Sequence, residues 1–326
     1  MAVLVVGGAG YVGSQTAKAI AREGLVPVVL DNLTHGHDWA VKWGPLVRGD
    51  LSDAPLLARV FQEHDIRSVV HFAAFTFVGE SMTAPRKYFG NNVVNTIKLL
   101  DAMVDAGVRD IVFSSSCATY GRPNGVPIRE DHAQNPASPY GDSKLMVERV
   151  MRWYREAYGL RFAALRYFNA AGADPDGEVG ELHDPETHLL PLAIESALGR
   201  AGPVSIFGAD YDTPDGTAVR DYVHVEDLAR AHCLALGHLA AHDDALLLNL
   251  GTGHGHSVRE ILATVEAATK RPLEVREAPR RPGDPAQLVA DAREAERVLG
   301  WKPRLPDLRT IVEHAVRWHR RRPAAR

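Results

Sequence analysis

Residues Val3–Val6 are a short, unbroken apolar run, and the next seven, Gly7-Gly-Ala-Gly10-Tyr-Val-Gly13, include four glycines. An apolar run without polar alternation is what a strand buried on both faces requires. Gly8, Gly10 and Gly13 fit G-x-G-x-x-G, Gly7 extends the motif to G-x-x-G-x-x-G, and a helix-like stretch follows to about Gly24. Strand, glycine turn and helix in that order commit the chain to a βαβ unit whose helix-start amides can face a pyrophosphate. A second strand, Val26–Leu30, ends at Asp31, 18 residues past Gly13. A carboxylate there accepts hydrogen bonds from an adenosine ribose and repels a 2′-phosphate, so NAD is expected rather than NADP.

The alternation continues, predicting strands at Arg67–Phe72, Asp110–Ser114 and Arg161–Arg166, one long helix over Pro85–Ala106 and another over Ser138 to about Tyr158. Repeated βαβ units mean an α/β fold, a doubly wound parallel sheet of Rossmann type with ligands at the carboxyl ends of its strands. Asp31, His71-Phe-Ala-Ala74, Ser114-Ser-Ser116 and Tyr167-Phe-Asn169 all fall at such ends. Past Asn169 the texture changes. Residues 173–187, rich in Gly, Pro and acids, read as a long loop, and shorter elements follow, among them Leu189–Leu198, Val204–Phe207, Val225–Leu239 and Leu246–Leu250. The 326 residues suit two domains. We expect residues 1–170 to form an NAD-binding domain and 171–326 mainly a smaller α/β substrate domain, with some segments returning to the first.

A net charge of -4 and 24% charged residues give no reason to expect nucleic-acid or membrane binding. Two cysteines, Cys117 and Cys233, are too few for a disulfide framework and suit a reducing, cytoplasmic setting. No apolar run approaches the roughly 20 residues that span a bilayer. Ala2–Val6 lacks a preceding cation and reads as a strand, not a signal peptide. The basic tail Arg317-Trp-His-Arg-Arg-Arg322 reads as a solvated helix end complementing the dipole.

Chemistry is carried by Ser138-Pro-Tyr-Gly-Asp-Ser-Lys144. Ser138 is placed to cap a helix that begins at Pro139. Tyr140 and Lys144, four residues apart, then share one helix face, and a nearby ammonium lowers a phenol's pKa toward proton exchange near neutrality. Y-x-x-x-K alone is common; its weight comes from the glycine loop and Ser114–Ser116.

Together these three stretches resemble the extended short-chain dehydrogenase/reductase family. More closely, GGAGYVGS, DNL at 31–33, GES at 79–81, NN at 91–92, SPYGDSKLMVE, RYFNAAGA, IFGADYDTPDGTAVRDYVHVEDLA, NLGTGHGHSVRE and RPGDPA resemble its UDP-hexose 4-epimerases, nearly end to end. The resemblance implies tightly held NAD, a UDP-sugar substrate, inversion of carbon 4 through a transient ketone, and a homodimer paired through the helices at Pro85–Ala106 and Ser138–Tyr158. It implies Ser116, Tyr140 and Lys144 as the catalytic residues. It gives cofactor contacts to Gly7, Gly10, Tyr11, Val12, Gly13, Asp31, Asn32, Asp50, Leu51, Phe72, Ala73, Ala74, Asn91 and Phe168, besides Tyr140 and Lys144. Substrate contacts fall to Ser116, Asn169, His188, Phe207, Arg220, Arg281 and Asp284, with the two arginines on the pyrophosphate, where forked donors suit phosphate. No metal is expected, the histidines lacking H-E-x-x-H spacing, and His254 and His256 read as loop residues.

Some positions depart from the family pattern. Thr76 stands where many relatives carry Lys, His188 where many carry Asn, and the order around Ser116–Tyr120 is unusual. Leu288 matches a position whose bulk governs tolerance of an N-acetyl sugar. A 4,6-dehydratase would want an acid pair just after the triad serine, where this chain has Cys117 and Ala118. A non-catalytic NAD-binding regulator would have no need of the Tyr–Lys pair. Epimerisation of a UDP-pentose or a UDP-N-acetylhexosamine uses the same machinery and stays open at this level.

Overall fold

The computed structural model describes residues 1–281 and 283–323. The first half runs β1 (Ala2–Val6), α1 (Tyr11–Arg22), β2 (Val26–Asp31), β3 (Leu46–Arg48), α2 (Ala54–Glu63), β4 (Ile66–His71), α3 (Val78–Thr83), α4 (Pro85–Tyr88), α5 (Asn95–Asp105), β5 (Asp110–Ser116), α6 (Pro139–Tyr158) and β6 (Arg161–Tyr167). Strands of this half are apolar on both faces. In β1, Ala2, Leu4 and Val6 join one core with Leu57 and Val60 of α2, Leu99 and Met103 of α5 and Met151 of α6. Val3 and Val5, pointing the other way, join a second core with Ile20 of α1.

Continuing, the chain forms β7 (Asn169–Ala171), α7 (Leu189–Ala197), β8 (Val204–Phe207), β9 (Val219–His224), α8 (Val225–Ala241), β10 (Ala245–Leu250), β11 (Gly255–Ser257), α9 (Val258–Thr269), β12 (Val275–Ala278), β13 (Gln287–Leu288), α10 (Arg293–Leu299) and α11 (Leu308–Arg321). Not all of this half is a separate unit. β10 pairs in parallel with β6 and completes a seven-stranded sheet, β3-β2-β1-β4-β5-β6-β10. Leu228, Leu236 and Leu239 of α8 and Leu299 of α10 line the second core with α1. The remaining elements form a smaller lobe whose core draws on α7, α9 and α11, with Ile194, Val265 and Val312 fully buried. In that lobe β9 pairs with β7, β11 and β13, and β8 with β12.

Three expectations need correction. The helix over Pro85–Ala106 is not continuous: α4 and α5 are separated by a π-helical turn at Phe89–Val94. Asn92 in that turn is buried and turns its amide inward, accepting from Phe75 N at 2.9 Å and donating to Phe75 O at 3.0 Å. Such widened turns recur at functional sites. Secondly, His256 lies in β11, not in a loop. Thirdly, the basic tail is not simply solvated: Arg322 pairs with Glu195 and Trp318 is buried. Among the described residues no helix is long and apolar enough to cross a membrane.

Candidate active site

Because β1 leads to β2 on one side and the chain returns as β4 on the other, a crevice opens above β1 and β4. Gly7, at φ +77°, ends β1 there, and a Cβ on it would meet Ala73 N at 2.6 Å. Gly13 is pressed onto the turn it follows, where a Cβ would lie 2.3 Å from Gly7 O. Only glycine fits either place. The start of α1 has no side-chain cap and no acid in its first turn, so the amides of Tyr11 and Val12 face the crevice unopposed. Tyr11 donates its hydroxyl to Gly172 O at 2.8 Å.

Asp31 closes the end of β2, accepting from Ala9 N at 2.9 Å and Leu33 N at 2.8 Å. Burial raises its pKa, against the lowering effect of those two donors. Asn32 donates to Asp50 Oδ2 at 2.7 Å on the same rim, beside buried Leu51. Phe72 and Ala73 both donate backbone N–H to Val6 O, and Ala74 follows them. Asn91 bonds Asn92, and Phe168 is buried beside Cys117 and Tyr120. The glycine loop, Asp31, Asp50, Phe72–Ala74 and Ser114–Ser116 thus lie along one edge of the sheet.

The three serines ending β5 have separate partners. Ser114 O accepts from Lys144 Nζ at 2.7 Å, and Ser115 Oγ donates to Glu148, on the same helix, at 2.5 Å. Ser116 Oγ caps the turn at Cys117–Tyr120 by accepting from Ala118 N at 3.1 Å, and its hydroxyl is near enough to the Tyr140 phenol to act on its pKa. α6 begins as expected, with Ser138 Oγ accepting from Gly141 N at 3.2 Å. Gly141 is required there, since a Cβ would lie 2.5 Å from Ala118 O.

The electrostatics differ from the sequence-based expectation. In the cofactor-free chain burial pushes the Tyr140 phenol up to about 12, and the neighbouring Ser116 hydroxyl offsets only part of this. Desolvation acts on the lysine as well, bringing Lys144 down to about 7. Lys144 is 2% exposed, with its Nζ over the Phe113 ring at 4.8 Å and 6.0 Å from the Tyr140 ring centroid. A buried ammonium is costly, and the charge of Glu148 one turn along offsets only part of that cost.

The residues expected at the substrate come from the smaller lobe and meet it at β9. Register places Leu288 opposite Arg220, and Asn169 opposite Tyr222. Arg220 pairs with Asp284, while the Arg281 guanidinium stacks over the Phe207 ring at 4.1 Å. Leu288 packs against the cluster of Cys117, Tyr120 and Phe168. His188 immediately precedes α7 and bonds Glu181. Thr76 is exposed.

Sequence reasoning passed over the support beneath the triad. Glu148, one turn beyond Lys144, is fully buried and receives Arg166 through two hydrogen bonds of 2.9 and 2.7 Å. The i, i+4 spacing of Lys144 and Glu148 on one apolar helix was the available signal. Asn92, adjacent to the expected Asn91, was missed because its role is a contact across 17 residues of chain.

A doubly wound sheet, a glycine turn at its switch point and a Ser–Tyr–Lys group at the neighbouring strand end define a dinucleotide-binding enzyme of the short-chain dehydrogenase/reductase class. Residues 3–251 match the NAD dependent epimerase/dehydratase family. UDP-glucose 4-epimerases of Rhizobium meliloti and Halalkalibacterium halodurans are 50% and 48% identical to the chain, over 98% and 99% of it and 97% of each relative. The crystal structure of UDP-glucose 4-epimerase from Brucella ovis in complex with NAD superposes with a TM-score of 0.95, at 51% identity over 97% of both chains. The chain belongs to the NAD dependent epimerase/dehydratase family.

Proposed function

We propose that the chain is an NAD-dependent UDP-glucose 4-epimerase, in which Tyr140 exchanges the proton of the sugar's 4-hydroxyl. The observation that carries this is the convergence of Ser116 at the end of β5 with the Tyr140 phenol and buried Lys144 one helix turn on, at the edge of the glycine-turn crevice. The residues fit the cofactor: the uncapped start of α1 suits a pyrophosphate, and Asp31, already tied to the glycine loop, suits a ribose. Bound NAD supplies a two-electron acceptor that takes and returns the hydrogen of carbon 4.

In this reading Gly7, Gly10, Tyr11, Val12 and Gly13 hold the pyrophosphate. Asp31 and Asn32 hold the adenosine ribose, and Asp50 and Leu51 the adenine. Phe72, Ala73, Ala74, Asn91 and Phe168 line the cofactor's other half, and Lys144 donates to its second ribose. Ser116 steadies the reacting oxygen. Asn169 and His188 face the sugar and phosphates, Arg220 and Arg281 the pyrophosphate, Asp284 the nucleotide ribose and Phe207 the uracil. Arg220 must then exchange part of its pairing with Asp284 for the substrate. Residues 1–170 with α8, β10 and α10 form the cofactor domain, and the other elements past 170 the substrate domain.

The exposed Met146, Trp153 and Tyr158 of α6, with Val94 before α5, offer an apolar face for a second copy. A homodimer mass by light scattering supports that pairing, and a monomer mass contradicts it. Both cysteines are free, which suits a reducing cytoplasm. The functional test is conversion of UDP-galactose to UDP-glucose by purified protein with no cofactor added, followed by denaturation and assay of the released nucleotide. Conversion with NAD released is expected; no conversion, or release of NADP alone, overturns the reading.

A further inference from the structure

On the loop between β7 and α7, four side chains with ligand chemistry converge: Glu181, His183, Glu186 and His188, with one donor atom of each within 4.8 Å of all the others. We propose that they form a binding site for one divalent transition-metal ion of zinc type, structural rather than catalytic, with His188 ligating through Nδ1 and keeping Nε2 for the substrate role given to it above.

Both imidazoles turn Nδ1 toward the same carboxylate. His188 Nδ1 bonds Glu181 Oε1, and His183 Nδ1 lies 3.3 Å from that oxygen and 3.6 Å from Glu186 Oε2. Yet His183 Nδ1 is buried and makes no hydrogen bond. A buried ring nitrogen facing two carboxylates without bonding either is rare in native interiors, and an ion between the three groups completes it. The two rings meet edge-on with centroids 5.4 Å apart, which brings nitrogens together without stacking. Glu181 is 4% exposed, and its negative charge beside that of Glu186 is stabilised by a cation at their meeting point.

Local backbone geometry prepares the site. Glu186 Oε1 accepts from Thr187 N at 2.7 Å and His188 N at 2.9 Å, which fixes the carboxylate and leaves Oε2 toward the cluster. Trp318 Nε1 donates to Glu181 O at 3.0 Å, tying the loop to α11. Two imidazoles with two carboxylates suit zinc and its neighbours, whereas magnesium and calcium take oxygen ligands. Four protein ligands close a tetrahedral shell, the arrangement of structural zinc. The ion joins the loop to the first residue before α7 and so fixes where the smaller lobe begins. A second acidic group, Asp174, Asp176 and Glu178, offers no such site, because Lys18 Nζ already stands among its carboxylates.

The test uses the holoenzyme, treated with a chelator and then titrated with zinc chloride by calorimetry, with bound metal measured by atomic emission. One zinc per chain is expected, with a rise in the unfolding temperature. Cobalt(II) chloride in its place should give the intense visible bands of a tetrahedral nitrogen–oxygen site. His183→Ala and Glu186→Gln should each weaken zinc binding at least about tenfold. Absence of saturable zinc binding by the parent, a weak octahedral cobalt spectrum, or unchanged affinity in both variants overturns the proposal. The parent's cobalt spectrum decides the matter even if a variant fails to fold.

Discussion

Two buried lysines, Lys18 of α1 and Lys144 of α6, are 3% and 2% exposed and have opposite surroundings. Around Lys18 Nζ stand Asp174, Asp176 and Glu178, at 2.8, 2.8 and 2.6 Å. Burial works to lower its pKa, but the three carboxylates outweigh burial and the pKa rises. Lys144 Nζ has a single backbone carbonyl, Ser114 O, and an aromatic face, and its pKa falls to about 7. The first lysine ties the loop after β7 to the cofactor-side helix. The second is held ready, short of the charge partners that a purely structural lysine acquires. Burial alone therefore does not mark a functional group; burial without compensation does.

Substitutions can break this comparison. Largest should be the effect of Tyr140→Phe, which removes the phenol oxygen and keeps the ring. General acid–base groups contribute roughly 100- to 10,000-fold, so kcat should fall by that order while bound NAD, measured after denaturation, stays near parental. A variant within about threefold of the parent would remove Tyr140 from the chemistry.

Next come the lysines themselves. Lys18→Met leaves Asp174, which is fully buried, without its cation and should destabilise the fold by about 3 kcal/mol in denaturant titrations at neutral pH. Because its folded pKa is raised, the stabilisation from Lys18 is complete below about pH 10.4 and is lost as pH rises through the folded value. Lys144 behaves in reverse. With a folded pKa of about 7 against about 10.4 unfolded, the unfolded chain binds more protons between those values, so its contribution to stability improves as pH rises across that window. Lys144→Met should accordingly lose turnover and NAD retention without loss of stability in cofactor-stripped protein, and should be more stable than the parent below pH 7. Equal destabilisation by the two substitutions would erase the distinction drawn between them.

The smallest expected effect concerns specificity. Leu288 packs beside Cys117 and opposite Arg220. Leu288→Ser should raise kcat/KM for UDP-N-acetylgalactosamine relative to UDP-galactose by about tenfold, the scale of a few pocket methylenes. An unchanged ratio places Leu288 outside the sugar pocket.

Which of these features were legible in the sequence follows from how local their causes are. β1 and β5 announce themselves because a strand buried on both faces must be apolar throughout, and α6 because Ser138 and Pro139 mark its start. Tyr140 and Lys144 are juxtaposed by helix geometry alone. The desolvation that raises one and lowers the other in the cofactor-free chain depends on neighbours supplied by β5, which the spacing of the two residues does not name. Lys18 and Asp174 are 156 residues apart, and nothing in either stretch names the other. The return of β10 to the first sheet is likewise a pairing across chain, with β6, that an apolar run cannot specify. In the turn at Phe89–Val94 helix propensity is satisfied by either register, and Asn92 settles it through Phe75.

The central claim is that only the hydroxyl proton of carbon 4 passes over Tyr140, while the hydrogen on the carbon itself never becomes an exchangeable proton. Conversion of UDP-galactose in heavy water, with the product analysed by NMR, tests this directly. The account predicts UDP-glucose with no deuterium at carbon 4. Deuterium incorporated there would mean that a base removes a proton from the carbon, and would contradict the role given to Tyr140.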